Sequence, residues 1–78
     1  MKRDEPTKVA FGAAMRSLRT KAGLSQERLA AKAKLNRTYV GDVERGERNI
    51  AIVNMQKLAK ALDVRLSEFL REMERHLD

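Results

Sequence analysis

Cysteine is absent from the 78 residues, so disulfides and thiolate metal sites are excluded and a reducing, cytoplasmic setting is expected. Long apolar runs are missing as well. The longest, Ile50–Val53, has four residues, far short of the roughly 20 that a membrane-spanning helix needs. The polar start MKRDEPTK carries no targeting signature. Histidine occurs once, as His76, with no cysteine, second histidine or nucleophile to partner it, and is expected on the solvated surface. The four glycines (12, 23, 41 and 46) have local helical explanations and make no phosphate-binding loop. Glu44 and Glu47 lack the company of other metal ligands. Neither an enzyme, nor a metal site, nor a cofactor is expected.

Acidic residues are scarce in the body of the chain. The net charge is +6, but residues 8–60 hold twelve Lys/Arg against four acids, and residues 61–78 hold three against five. A basic body fits a polyanion partner, and the acidic tail fits a different task. The length allows a single domain with one modest core and leaves no room for a separate sensory domain, so no small-molecule effector is expected. Residues 1–6 offer no apolar anchor and are expected to be flexible, with the domain running over 7–78.

The most informative stretch is Gln26–Arg45, QERLAAKAKLNRTYVGDVER. It reads as two short helices and a tight turn. Leu29, Ala30 and Ala33 share one side of the first helix. At about 100° per residue, Val40 and Val43 share one side of the second, and Arg37, Thr38, Gly41 and Arg45 the other. Such a helix-turn-helix lays its second helix in the DNA major groove. Ser25 is the expected N-cap of the first helix, whose free N–H groups also suit a phosphate. Asn36 is the expected N-cap of the second. Arg37, in its first turn, can fork onto a guanine, and Thr38 can meet a thymine methyl or a phosphate. Tyr39 lies on the flank, where its ring is either core or packed with the hydroxyl reaching a phosphate. Asp42 would repel phosphate unless it accepts from a cytosine amino group or pairs with Arg45, and is read as a specificity element. Arg48 and Asn49, in the loop after Gly46, are candidates for phosphate contacts.

Around this stretch, Thr7 is the expected cap of a first helix running to about Lys21, with Phe11, Met15, Leu18 and Ala22 inward. Gly23 should close it in the left-handed conformation. A fourth helix carries Ile52, Met55, Leu58, Ala59 and Leu62 inward, with Ala51 a poor cap. Ser67 is the expected cap of a fifth.

GLSQERLA at 23–30, LNRTYVGDVERGER at 35–48 and KLAKALDVRLSEFL at 57–70 resemble the Cro/phage-repressor, or Xre, type of helix-turn-helix domain. NRTYVGDVERGERN looks most like the controller proteins of restriction–modification systems. The resemblance implies an all-α, compact five-helix bundle of the lambda-repressor-like type, binding double-stranded DNA as a homodimeric transcriptional regulator, controller-like or repressor-like. The alternative is an antitoxin-like or adaptor module whose main partner is another protein. The resemblance also implies that Gln26 touches the DNA backbone and steadies the reader helix, and that Arg19 pairs with Glu44. The family usually has glycine where this chain has Lys34, and a lysine in the left-handed conformation costs roughly 1 kcal/mol. Beyond the match, Leu66, Leu70, Met73 and Leu77 recur at helical spacing with Phe69 beside them. They are expected to form a dimer interface on a projecting fifth helix, setting two reader helices about 34 Å apart.

Overall fold

The computed structural model describes residues 5–77. Five helices follow one another: α1 (Glu5–Lys21), α2 (Gln26–Ala33), α3 (Arg37–Glu44), α4 (Ile52–Ala61) and α5 (Leu66–Arg75). Among the described residues no helix is long and apolar enough to cross a membrane, and no group of three or more His, Cys, Asp or Glu could hold a metal ion.

α1 is the spine. It packs against α5 along one side and α3 along the other, while α2 packs on α3 and α4. Its inward stripe is Ala10, Phe11, Ala14 and Met15, with Leu18 half-buried. The helix starts earlier than expected. Glu5 and Pro6 are helical and Thr7 lies inside the first turn instead of capping it. Proline's fixed φ suits a first turn, its missing N–H would have no helical partner there, and Glu5 faces the positive end of the helix dipole. The rest of the arm thought flexible, residues 1–4, lies outside the described residues.

Four of the five helices end in the same hydrogen-bonding device, a Schellman motif closed by a left-handed residue. At Gly23 (φ 73°), the Leu24 N–H reaches back to the Arg19 carbonyl at 3.1 Å. At Gly46 (φ 75°), the Glu47 N–H reaches Asp42 at 2.9 Å. The other two positions are not glycine: Lys34 (φ 59°) and Asp63 (φ 61°) close α2 and α4. Lys34 therefore does what the family's glycine does, and α2 does not run on. After three of the four comes an apolar residue, Leu24, Leu35 or Val64, packed against the core. Ala22, expected inward, is exposed because the chain is already turning at this point.

The core gathers Phe11, Met15, Leu29, Val40, Val43, Leu58 and Phe69, all no more than 3 % exposed. Phe11 and Phe69 stack with ring centroids 4.6 Å apart. This stacking corrects the reading of Phe69. Phe69 is fully buried and cannot face a partner; Leu66, Leu70 and Met73 are half-buried against the monomer's own core. α5 lies along α1 instead of projecting, and only Leu77 of the expected interface keeps a large exposed apolar surface. The cap of α5 is also displaced by two residues. Arg65 holds the N-cap position, and the Glu68 carboxylate accepts its N–H at 2.7 Å. A glutamate three residues into the helix settles the start, and Ser67 is left inside the first turn. Met55, Leu58, Ala59 and Leu62 turn inward, but Ile52, in the first turn of α4, stays 65 % exposed.

Candidate nucleic-acid interface

α3 is oriented by a buried carboxylate at its end. The Glu44 side chain is fully buried, and three residues from two other helices converge on it. From α1, Arg19 grips it with both Nε (2.6 Å to Oε2) and Nη2 (3.1 Å to Oε1), and Arg16 Nε lies 3.4 Å from Oε1. From α2, the Gln26 amide donates to Oε1 at 2.8 Å. Arg19 is fixed in turn by the Leu24 carbonyl, 2.9 Å from Nη1. Burial pushes the Glu44 carboxyl up. The hydrogen bonds from Arg19, Gln26 and Arg16 and the charge of Arg19 outweigh it and hold the carboxyl below the ordinary range. Arg19 and Glu44, paired by resemblance, are thus in bidentate contact. Gln26 joins the first residue of α2 to the last of α3.

Close helix contact completes the clamp. A Cβ added at Gly12 of α1 would stand 2.6 Å from the Glu44 carbonyl oxygen and closer still to that of Val43. Gly12 therefore has a tertiary explanation and not the local one expected of it. It lets α1 ride directly on the backbone of α3.

Asn36 and Ser25 cap the two helices as expected. Asn36 Oδ1 accepts the Thr38 N–H at 2.7 Å, and Ser25 Oγ accepts the Arg28 N–H at 3.0 Å. With its backbone held in this way, the first turn of α3 presents Arg37 and Thr38 to solvent. Among the described residues the Arg37 side chain has no ion pair or hydrogen bond. One turn on, Gly41 is buried beneath the side chains of Gln26 and Arg45, which would lie 3.6 and 3.4 Å from an added Cβ. This is ordinary contact, so no close approach within the protein requires a glycine here.

Asp42, Arg45 and Arg48 form a second cluster on the outer side. Asp42 accepts from Arg45 and, at 3.4 Å, from Arg48 Nε. The Arg48 guanidinium also sits 5.0 Å from the Tyr39 ring centroid. The Tyr39 ring packs against the core, half-buried, and its hydroxyl accepts from Asn54 Nδ2 at 3.1 Å. Asn49 is exposed in the following loop. Asn54 was not foreseen. It stands on α4, outside the helix-turn-helix, and no periodicity marks it. Because its amide donates to the phenol oxygen, the phenol's own proton is left free for another acceptor.

The family model described as helix-turn-helix matches residues 15–69. The chain is similar to the control protein C.BamHI of Bacillus amyloliquefaciens, 42% identical over 64 residues, 81% of this chain and 79% of that protein. Among solved structures it is similar to the restriction–modification controller protein C.AhdI of Aeromonas hydrophila: 55% identity, TM-score 0.78, covering 80% of this chain and 94% of the other. It is also similar to the controller protein C.Esp1396I, described as a tetramer in complex with its natural 35 base-pair operator: 28% identity, TM-score 0.84, covering 91% and 93%. Capped tandem helices, a clamped reader and these likenesses agree: the chain belongs to the helix-turn-helix family, alongside the restriction–modification controller proteins.

Proposed function

We propose that this protein is an operator-binding transcriptional regulator of the controller type, acting as a homodimer in the cytoplasm and not as an enzyme. The observation that carries the reading is α3 itself. Its far end is clamped to α1 and α2 through Glu44, while at its near end the side chains of Arg37 and Thr38 face solvent and have no partner among the described residues. A helix held rigidly at one end and unpartnered at the other suits groove insertion, with Arg37 forking onto guanine. Around it Ser25, Gln26, Asn36, Thr38, Tyr39, Arg45, Arg48 and Asn49 supply backbone contacts, and Asp42 sets the direction of two arginines. Selection of bound sequences from random duplex DNA tests this. A twofold-symmetric pair of short half-sites is expected, and recovery of no preferred sequence would refute the reading.

Each chain carries one reader helix, α3, so two of them about 34 Å apart, a full turn of DNA, require two copies. The dimer face is assigned to Ile52 and Val53, adjacent and 65 % and 62 % exposed at the start of α4. Two such side chains in the open favour burial against a second copy. Ile52→Asp with Val53→Asp should give a folded monomer with much weaker operator binding. Sedimentation showing an intact dimer in that variant would move the interface elsewhere.

A further inference from the structure

Beside the reader helix, Lys32 and Lys34 at the end of α2 and Lys57 and Lys60 of α4 line one open groove, together with Ala33 and Ala61. All four lysines are exposed. Among the described residues the ion pairs engage Arg16, Arg19, Arg45, Arg48, Arg75 and His76, and none of these four lysines. Among the same residues Asp63, just past α4, makes no ion pair with them.

The alanines beneath are buried, and lysine stems help cover them. That task asks for methylenes, which glutamine or glutamate would supply equally well; it does not ask for four charges of one sign. Ammonium groups gathered round one groove repel each other, and the repulsion is relieved when a polyanion neutralises them.

We propose that this groove is a second track for duplex DNA, taking the phosphate backbone that flanks the half-site read by α3. The proposal rests on the operator-binding reading. The track begins at the reader helix: Lys34 is the left-handed residue of the turn, immediately ahead of Leu35 and the Asn36 cap. From there it crosses the end of α2 to α4. Lysine suits this task, being a point charge on a flexible stem that meets a phosphate without demanding fixed geometry or a particular base. A left-handed lysine in place of glycine then gains a purpose, since it puts a charge at the mouth of the track.

The test compares two duplexes carrying the same selected site, one minimal and one extended by a helical turn at each end. Affinity is measured against salt for the wild type and for Lys57→Gln with Lys60→Gln. The extension should steepen the wild-type salt dependence. The double variant should bind the minimal duplex like the wild type and lose about two units of that extra slope per protomer. Any of the following results would overturn the proposal. The extension could leave the wild-type slope unchanged, or the variant could keep the full gain. Equal weakening on both duplexes would place the lysines within the half-site. DNA binding unaffected at both lengths, with loss of binding to an acidic protein such as a polymerase subunit, would assign the groove to that protein. Failure of the wild type to bind the minimal duplex is a separate outcome, which would refute the operator reading itself. Unchanged thermal melts of the variant confirm that its fold is intact.

Discussion

Asp42 and Glu44 stand two residues apart on α3, yet they serve opposite ends of its task. Glu44 points into the protein, its side chain fully buried, and draws donors from α1 and α2. Asp42 points out, 19 % exposed, and holds Arg45 and Arg48 of its own helix end and loop. Two residues on a helix are about 200° apart, so neighbouring carboxylates necessarily face opposite sides. The inner one determines where the helix lies. The outer one determines how the arginines around it are aimed. In the low dielectric of the interior a lost partner leaves an uncompensated charge; at the surface water replaces it.

The largest expected effect is on the inner side. Glu44→Ala strands Arg19 in a largely buried position and should cost about 3 kcal/mol in urea unfolding. A loss below about 1 kcal/mol would put the inner pair in the same class as the outer one and erase the contrast. The pH dependence has a defined sign. Because the folded carboxyl titrates below its ordinary range, its stabilisation is fully present at neutral pH. It is lost as pH falls from the ordinary glutamate value through the lowered one. Melts from neutral to acid pH should therefore fall less steeply for Glu44→Gln than for the wild type.

Gly12→Ala probes the same side through packing. Its methyl would collide with backbone carbonyls of α3, which cannot rotate away, so about 2 kcal/mol of destabilisation is expected. Stability equal to wild type would show that α1 and α3 can separate without loss.

On the outer side the effects move from stability to recognition. Arg37→Ala should leave the melt unchanged and lose about 1–3 kcal/mol of discrimination at one base pair per half-site. An unchanged ranking of operator variants would refute the docking. Asp42→Asn should alter stability by less than about 1 kcal/mol. By removing a negative charge and freeing two arginines, it should tighten binding to unrelated duplexes more than to the operator. Equal tightening on both would deny Asp42 any part in specificity.

Local chemistry made much of this legible. Ser25, Asn36 and Gly23 are punctuation whose physics acts within a few residues, and all three stand where their residue types require. The inward Leu29, Ala30, Ala33, Val40 and Val43 follow from helical period alone. Where two local signals competed, the reading failed: Ser67 is a better cap by type, but Glu68 reaching back to Arg65 N–H won. α5 was legible only in part. The apolar row Leu66, Leu70, Met73 has the same spacing whether it meets a partner or its own core, and the stacking on Phe11 assigns Phe69 alone wholly to the core.

The sequence alone determined the five helices, the helix-turn-helix, and the residues at the near end of α3, because capping, period and charge act over one or two turns. Tertiary structure decided what distant residues do to one another. It brought Arg16, Arg19 and Gln26 to one carboxylate, set Gly12 against the backbone of α3, aimed the Tyr39 hydroxyl with Asn54, and gathered four lysines from two helices around one groove. Each of these joins residues far apart in the chain, whose proximity depends on how helices cross, and no local pattern encodes a crossing.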